Sequence, residues 1–387
     1  MKILHMTGMP SSKYGSIERF FIEQMRQLPD SQILLVYNSQ PASKEYLADI
    51  QHYRGGYRVL QTGGLAFVKN VFAYIRLLRE FKPDVVHFHF GFSFPLYAPI
   101  ARLMGVKALF QTEHLCLTYG PKRKQVTKKS ELRLVYGLVF LWGWALKPFD
   151  RVVCVGKHVQ HQFETIFNVY KHYETIHMGV PDARHYTDEE KRRLRAELRI
   201  PDGAQVITTT AFAVWLKGGD VFVSALPLLK DPNYVALIIG FDEEIPFTRE
   251  LHEMADRTGI ADRIRWIGIT DNVSRYLAIS DIYVQPSRTE ALGLSVNEAQ
   301  SYSLPCVGSK VGGLPEVCNL LFESEDSAAL AHQLDSLMAS PELRQRLGTE
   351  SRHAYETEFK QSCGVAAYTR LYRSVLAAKQ SASHKPA

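Results

Sequence analysis

The sequence predicts an α/β protein with two doubly wound domains, each built around a parallel sheet covered by helices. Short apolar strand patterns alternate with helical patterns, and the same alternation starts again in the second half of the chain. The length of 387 residues also exceeds what one ordinary hydrophobic core holds. Near-continuous apolar strands separated by helices are typical of parallel sheets.

The first half begins with a strand and keeps the alternation to its end. Predicted strands cover 2–7, 32–37, 57–61, 84–90 and 108–114, and predicted helices cover 17–28, 65–81 and 94–104. Two more strands are expected, one from 150 and one at 173–178, before a turn-rich polar segment at 181–187. We therefore assign residues 1–180 to an N-terminal domain.

The second half repeats the pattern after the polar segment. Predicted strands cover 205–213, 234–241, 264–269 and 281–287, and helical patterns fill 326–379. Residues 181–364 are assigned to a C-terminal domain, and 365–379 to a last helix. The polar tail 380–387 is expected to be disordered.

Composition favours a soluble globular protein, with 46% hydrophobic and 22% charged residues. No apolar run reaches eighteen residues, and the first residues form a strand pattern rather than a signal peptide, so a cytoplasmic protein is expected. The five cysteines are scattered without a C-x-x-C pair, which argues against a zinc site or a disulfide framework.

The most informative stretch is 286–316, which reads PSRTEALGLSVNEAQSYSLPCVGSKVGGLPE. Two carboxylates stand eight positions apart, with Glu290 expected on a strand-to-helix loop and Glu298 within the helix. Ligands bind at that edge of an open α/β sheet. The helix N-terminus near Gly293 offers unpaired N–H groups that suit a phosphate.

This stretch resembles the E-x7-E signature of retaining glycosyltransferases of the GT-B fold, family 4. Those enzymes read PS-x-x-E-G-F-G-L-x-x-x-E-A, followed by G-L-P-V-V-x-T-x-x-G-G-x-P-E. The resemblance implies that Glu290 binds donor-sugar hydroxyls and that Glu298 binds the nucleotide ribose. It also places the donor against the turn formed by Ala291, Leu292, Gly293 and Leu294. The alternative is that Glu290 caps a turn and Glu298 is a solvated helix residue.

A second motif, 214–220, reads VWLKGGD and lies at a strand-to-helix turn. Lys217 before Gly218 can neutralise a phosphate as a point charge; the alternative is an exposed turn lysine. Family 4 enzymes usually carry an arginine five residues before this lysine, and here that position is Phe212.

Two further donor contacts follow from the resemblance. Gly240 ends a strand beside the acidic cluster 242–244, and Ile269 precedes a loop that resembles the one whose backbone reads the nucleobase. The acidic cluster could mimic a metal-binding D-x-D motif. GT-B enzymes, however, hold the diphosphate with backbone amides and cations, so no metal or other cofactor is expected.

In the first half, Gly15, Ser16 and Glu18 resemble the Gly-Gly and glutamate of the family's first loop, the alternative being a plain turn. His114 ends a strand in Gln-Thr-Glu-His and resembles the family's T-x-H at the mouth of the cleft, near donor sugar and acceptor. His87 and His89 share one strand face. A metal pair there is conceivable, but hydrogen-bonded histidines are the favoured interpretation.

A basic cluster precedes an apolar stretch, 134–146, that carries two tryptophans. The favoured interpretation is a solvated loop before a buried helix; the alternative is peripheral contact with anionic lipid at the inner face of the cell membrane. A nucleic-acid surface is not expected, because no binding motif accompanies the cluster. The five cations are Lys122, Arg123, Lys124, Lys128 and Lys129.

The resemblance implies two Rossmann-like domains facing a central cleft, with the last helix packed back on the first domain. The expected reaction moves a hexosyl unit from a UDP- or GDP-sugar to a hydroxyl of a glycan or lipid-linked acceptor, with retention. Glu290, Lys217 and His114 are the expected catalytic residues, in surface polysaccharide or glycolipid synthesis. Two alternatives stay open: a non-catalytic GT-B subunit that partners another glycosyltransferase, and a nucleotide-sugar hydrolase or epimerase.

Overall fold

A computed structural model describes residues 1–8, 10–12, 14–60, 67–90, 94–114, 146–166, 172–210 and 215–383. They form two compact units: Met1–Met178 together with Gln361–Ala387, and Gly179–Lys360. Each unit is an α/β domain around a parallel sheet, which confirms the predicted fold class.

The sheet of the first unit has its strands in the order β3-β2-β1-β4-β5-β6-β7, all paired in parallel. Its strands are β1 (Lys2–Thr7), β2 (Gln32–Tyr37), β3 (Gly56–Val59), β4 (Val85–His89), β5 (Ala108–Glu113), β6 (Arg151–Cys154) and β7 (Tyr173–Thr175). Its described helices are Ser16–Gln27, Lys44–His52, Phe67–Phe81, Phe94–Leu103, Lys157–Ile166 and Gln361–Ser383. The inner strands are buried along their length, as expected for a sheet with helices on both faces.

The core of this unit joins the beginning of the chain to its last helix. Phe20 and Phe21 pack in one cluster with Tyr368 and Tyr372, and the rings of Phe20 and Tyr368 lie edge to face, 5.3 Å apart. Such aromatic pairs add about 0.5–1.5 kcal/mol beyond area burial. The helix Gln361–Ser383 is therefore part of the first unit's core.

The sheet of the second unit has the order β10-β9-β8-β11-β12-β13, again parallel throughout. Its strands are β8 (Gln205–Thr210), β9 (Tyr234–Phe241), β10 (Ile264–Gly268), β11 (Ile282–Gln285), β12 (Cys306–Ser309) and β13 (Leu320–Phe322). Its longer helices are Asp188–Glu197, Pro246–Arg257, Leu294–Ser301, Ser327–Ala339 and Pro341–Ala354, and shorter ones include Gly219–Ala225 and Ser274–Leu277. A five-residue π-helix, Tyr355–Phe359, closes the unit.

All strands of each sheet run in the same direction, but the order in which the chain adds them reverses at one place. This switch point lies between β1 and β4 in the first unit and between β8 and β11 in the second. Connections leave such a pair toward opposite faces, so the carboxyl ends of the two strands border a crevice in which open α/β sheets bind ligands. The loops carrying Lys217 and Glu290 follow β8 and β11.

The predicted elements differ from the observed ones at their ends, and the helices Lys44–His52 and Pro246–Arg257 were not predicted. The predicted tail 380–387 begins inside the helix Gln361–Ser383, so residues 380–383 are helical rather than disordered. The boundaries between the units fall after Met178 and Lys360, against predicted positions of 180 and 364. Among the helices that the structure describes, none combines the length and the apolar character that crossing a bilayer requires.

Candidate active site

Lys217 and Glu290 form an ion pair at the switch point of the second sheet. The Lys217 Nζ atom lies 2.6 Å from the Glu290 Oε2 atom. Lys217 ends a short 3₁₀ turn, Trp215–Lys217, after β8, and Glu290 lies in the loop after β11. The two residues that the sequence proposed for the diphosphate and the sugar are therefore in direct contact.

The two loops approach each other because Gly218 has no side chain. A Cβ atom at Gly218 would lie 1.9 Å from the Pro286 carbonyl oxygen, and its φ of +68° also favours glycine. Two residues further along, the Arg288 N–H donates to the Leu216 carbonyl at 2.8 Å. Close backbone contact thus sets the position of Lys217 relative to Glu290.

Arg288, in the Glu290 loop, bonds residues that lie next to Lys217. Its guanidinium donates to both carboxylate oxygens of Asp220, at 2.9 and 2.7 Å, and to the Trp215 carbonyl at 2.6 Å. It also lies over the Trp215 ring, 4.2 Å from the centroid, and bonds Glu325 at 2.8 Å. The Arg288 side chain is 3% exposed, so this cation is a structural part of the site rather than a free ligand for phosphate.

A line of buried polar side chains leads to the Glu290 carboxylate. Thr210 Oγ1 lies 2.6 Å from the Tyr283 hydroxyl, which donates to Gln285 Oε1 at 2.8 Å. Gln285 Nε2 donates to Ser287 Oγ at 2.7 Å, and Ser287 Oγ donates to Glu290 Oε2 at 3.3 Å. Buried polar groups with satisfied partners make a rigid support, so Glu290 is oriented by β8 and β11 together.

The glycine pair of the V-G-G-L-P-E segment packs on the backbone of the Glu290 turn. A Cβ atom at Gly312 would lie 1.9 Å from the Glu290 carbonyl oxygen, and φ at Gly312 is +54°. The Gly313 N–H donates to the same carbonyl at 3.1 Å. This contact explains why the sequence pattern couples the Glu290 segment to a Gly-Gly pair twenty-two residues later.

The helix Leu294–Ser301 starts directly after this turn. Gly293 precedes it with φ of +106°, Leu292 is 2% exposed, and Ala291 and Leu294 are half-buried. The N–H groups at the start of a helix have no carbonyl partner within the helix, and here those of Val296 and Asn297 bond the Gly293 carbonyl. Glu298 lies one turn on, half-buried.

Gly240 and Ile269 lie at neighbouring strand ends in the same unit. Gly240 is buried near the end of β9 with φ of +89°, and Ile269 follows β10 with 70% of its surface exposed. Both lie at the edge of the sheet formed by the carboxyl ends of its strands, where Lys217 and Glu290 also lie.

Gly15 and Ser16 belong to the first unit and begin its first helix. The Gly15 N–H donates to the Glu18 carboxylate at 3.0 Å, and the Ser16 carbonyl accepts from Gln361 at 3.0 Å. Glu18 is 6% exposed. The Glu18 carboxylate of the G-S-I-E segment therefore binds the backbone at the start of its own helix.

The first unit gathers four histidines at its switch point. His5 on β1 faces His87 and His89 on β4, and His114 follows β5. His89 Nδ1 lies 3.2 Å from His114 Nε2, and the Phe90 ring stacks on His114 with centroids 3.9 Å apart. Burial lowers the pKa of His114 to about 3, so the ring is neutral at physiological pH.

The pKa of Glu113, the residue before His114, is shifted in the opposite direction. Burial raises the pKa of Glu113 to about 7, although Gln111 donates to its carboxylate and works the other way. Its Oε1 atom is buried without a hydrogen-bond partner in the described residues. No sequence motif predicted a role for Glu113.

Arg288 and His5, like Glu113, were not predicted from the sequence. Arg288 stands two positions before Glu290, at a variable place in the motif, so nothing in the pattern marked it. His5 could have been found, because β1 and β4 are neighbours at the switch point of a doubly wound sheet. Phe212 and the five cations Lys122, Arg123, Lys124, Lys128 and Lys129 lie outside the described residues.

Two family models together match most of this chain. The model of Glycosyltransferase Family 4 matches residues 17–184, and that of glycosyl transferases group 1 matches 190–354. Each model therefore falls mainly on one of the two units.

Curated relatives and solved structures agree with this. The N-acetyl-alpha-D-glucosaminyl L-malate synthase of Bacillus anthracis is 24% identical, over 76% of this chain and 75% of its own. A GDP-mannose-dependent alpha-(1-6)-phosphatidylinositol monomannoside mannosyltransferase of Mycobacterium tuberculosis is also 24% identical, over 81% and 82%. The crystal structure of Anabaena Alr3699/HepE in complex with UDP covers 97% of this chain and 100% of its own, with a TM-score of 0.79 at 16% identity, which shows a shared fold.

With two parallel α/β units, an E-x7-E segment at a switch point and family models along both halves, this chain belongs to the GT-B glycosyltransferases of family 4.

Proposed function

We propose that this protein transfers a hexosyl unit from a nucleotide-sugar to a hydroxyl group, with retention at the anomeric carbon. The observation that carries the proposal is the contact between Lys217 and Glu290, 2.6 Å apart where the second sheet reverses. A cation for a departing diphosphate and a carboxylate for sugar hydroxyls are the two charges such a transfer needs side by side.

Donor binding separates this pair. The diphosphate takes the Lys217 ammonium, and the hydroxyls of the sugar donate to the Glu290 carboxylate. The side chains of Lys217 and Glu290 are 27% and 15% exposed, so both charges remain reachable from solvent.

The remaining donor contacts come from the same sheet edge. Gly293 and the first turn of its helix approach the phosphates, Glu298 binds the ribose, and Gly240 and Ile269 border the base. In the transfer step the bond from the anomeric carbon to the phosphate oxygen breaks and the bond to the acceptor oxygen forms. The acceptor proton passes to the departing phosphate oxygen, and no metal ion takes part.

The first unit supplies the acceptor side. His114, held neutral, offers a hydrogen bond rather than a charge to the substrate. One relative is named as an N-acetyl-alpha-D-glucosaminyl L-malate synthase and another as a GDP-mannose-dependent phosphatidylinositol monomannoside mannosyltransferase. The second name supports an acceptor among the glycans and lipid-linked molecules of surface polysaccharide or glycolipid synthesis, and UDP- and GDP-sugars are the donor candidates.

The test has two parts. A panel of UDP- and GDP-sugars is first screened for a rise in unfolding temperature, because a ligand that binds the folded state stabilises it by mass action. Release of nucleoside diphosphate is then followed with and without lipid and glycan extracts. Acceptor-dependent release supports transfer, equal release without acceptor indicates a hydrolase, and binding without release indicates a non-catalytic subunit.

A further inference from the structure

A line of hydrogen bonds runs through the interior of the first unit and ends at His114. His5 Nε2 lies 2.7 Å from Gln24 Oε1, and His5 Nδ1 lies 3.1 Å from His89 Nε2. His89 Nδ1 in turn lies 3.2 Å from His114 Nε2. The four residues come from the helix Ser16–Gln27, from β1, from β4 and from the residue after β5, so the line crosses the sheet at its switch point.

The proton positions along this line follow from the partners of each nitrogen. A neutral imidazole has one nitrogen that donates and one that accepts, whereas the Gln24 carbonyl oxygen can only accept. Because Oε1, rather than Nε2, of the Gln24 amide faces His5, His5 Nε2 donates to Gln24. This leaves His5 Nδ1 as an acceptor for His89 Nε2–H. His89 Nδ1 then accepts from His114 Nε2–H, and the remaining ring nitrogen of His114, Nδ1, carries a lone pair.

The rings of the line are neutral at physiological pH, as this reasoning requires. Burial lowers the pKa of His5 to about 4, in spite of the hydrogen bond to Gln24. Burial together with the neighbouring histidines holds the pKa of His89 well below its usual range. An extra proton on any ring would make both nitrogens donors and reverse part of the line.

We propose that Gln24, His5 and His89 are positioning residues that lock His114 in the Nε2–H tautomer, so that His114 Nδ1 accepts a hydrogen bond from a substrate hydroxyl. The substrate half of this inference rests on the proposed glycosyl transfer. The Phe90 ring, stacked 3.9 Å from His114, fixes the plane of the imidazole. A sugar or acceptor hydroxyl, which can donate, is therefore favoured at this nitrogen over a phosphate oxygen, which cannot.

The same cluster has the composition of a metal site, because ligand atoms of His5, His87 and His89 all lie within 4.8 Å of one another. Both ring nitrogens of each histidine are nevertheless engaged. His87 bonds the Tyr372 hydroxyl through Nδ1 and Thr112 Oγ1 through Nε2 at 2.7 Å, and the other two rings belong to the line. A metal ion would have to break at least one bond at every ring, and the hydrogen-bonded line accounts for all of the nitrogens.

The test measures the tautomer directly, on the full chain labelled with ¹⁵N-histidine. Long-range ¹H–¹⁵N spectra distinguish Nε2–H, Nδ1–H and charged rings, and the signal that disappears in His114→Asn identifies His114. We expect a neutral Nε2–H ring at pH 7. A neutral Nδ1–H ring or a charged ring in the parental protein overturns the proposal without any variant.

Two variants test where the lock comes from. Gln24→Met removes the acceptor that sets the direction of the line, so His114 should shift towards Nδ1–H. Tyr368→Phe is the matched control, because it removes a buried hydroxyl that bonds Thr112 in the same cluster but not in the line; it should leave the tautomer unchanged. Unfolding temperatures show that each variant is folded.

Activity then links the tautomer to catalysis. In Gln24→Met the kcat for sugar transfer should fall in proportion to the fraction of His114 found as Nδ1–H, while Tyr368→Phe keeps the parental kcat. An unmoved tautomer in folded Gln24→Met, or a histidine shift on adding Zn²⁺ that a chelator reverses, overturns the proposal. If the tautomer behaves as expected but no nucleotide-sugar reacts, the proposed function fails and the substrate role of Nδ1 with it, while the lock itself stands.

Discussion

Glu290 and Lys217 neutralise each other at the reversal point of the second sheet, with 2.6 Å between the Oε2 and Nζ atoms. The side chains of Lys217 and Glu290 are 27% and 15% exposed, so this ion pair is largely buried. Arg288 donates to the Trp215 carbonyl of the neighbouring loop, and Ser287 donates to the Glu290 carboxylate.

The first prediction separates the roles of the two glutamates. Glu290→Ala should chiefly lower the turnover of sugar transfer, whereas Glu298→Ala should chiefly weaken binding of the nucleotide. Loss of a hydrogen bond to a charged group costs about 1.5–3 kcal/mol, or roughly 10- to 150-fold. Steady-state kinetics with titration of the nucleoside diphosphate measures both effects. Parental rates in both variants would show that the site lies elsewhere.

The second prediction concerns the close approach at Gly218. Gly218→Ala places a Cβ atom 1.9 Å from a backbone oxygen at positive φ, whereas Gly203→Ala meets a similar φ of +75° with no atom within 4 Å. The control should cost about 1–2 kcal/mol through φ alone, and Gly218→Ala about 1–3 kcal/mol more. Thermal unfolding measures the difference, and donor binding should weaken in Gly218→Ala alone. Equal losses in the two variants would mean that the loops separate freely.

The third prediction concerns pH and the stability of the first unit. Burial lowers the pKa of His5 to about 4 and that of His114 to about 3, so the unfolded chain takes up protons below about pH 6.5 that the folded unit refuses. The free energy of unfolding should therefore fall as pH drops from 7 towards 4, by about 3 kcal/mol from His5 at full titration. Glu113, whose pKa burial raises to about 7, has the opposite effect on the free energy of unfolding, but it is one group against two histidines.

Urea unfolding at several pH values checks this dependence. His5→Gln should reduce the decrease in the free energy of unfolding between pH 7 and 5. His332→Gln, which alters an exposed histidine of the second unit, should leave that decrease unchanged. A parental midpoint that stays constant or rises over this range contradicts the prediction.

The fourth prediction is that transfer does not require a metal ion. The charges near the proposed diphosphate site are the Lys217 ammonium and the first turn of the helix Leu294–Ser301, which act without one. Initial rates should persist in excess chelator. Complete loss that manganese restores would instead assign the chemistry to Asp242 and its acidic neighbours.

The fifth prediction concerns the basic cluster of Lys122, Arg123, Lys124, Lys128 and Lys129. Each cation near an anionic surface contributes about 1 kcal/mol, and salt screens the attraction. Binding to anionic vesicles should weaken as salt rises and fall sharply when all five become Gln, while neutral vesicles bind poorly. Sedimentation with vesicles measures the binding. If the parental protein does not bind anionic vesicles at low salt, the cluster is a solvated loop without a membrane role.

The sequence was sufficient for the fold class and for placing Lys217 and Glu290 on strand-to-helix turns. Apolar strands are unambiguous when they are long and buried on both faces, and β2 and β9 match their predicted bounds. Short elements were harder, because three residues such as β13 leave no period to detect. Helix ends also shifted, since capping and fraying leave little trace in the sequence.

The side-chain partners at the sites could not be predicted in the same way. The spacing of Glu290 and Glu298 locates a loop and a helix, but Arg288 acquires its role from Asp220 and Trp215, which the chain brings together from about seventy residues away. The histidine line likewise depends on four elements meeting at one point. Pairwise contacts of this kind follow from tertiary packing, and one sequence records only the residues that take part.

The position of the last helix has a consequence for biosynthesis. Val365, Tyr368 and Tyr372 complete a core that otherwise comes from the first 178 residues, while the unit 179–360 needs no later segment. On the ribosome, the unit that begins second can therefore finish first, and the earlier one waits with an open apolar face until the helix emerges. A premature stop near 360 should leave that face uncovered and prone to aggregation, although both proposed ligand-binding loops of the second unit would already have been made.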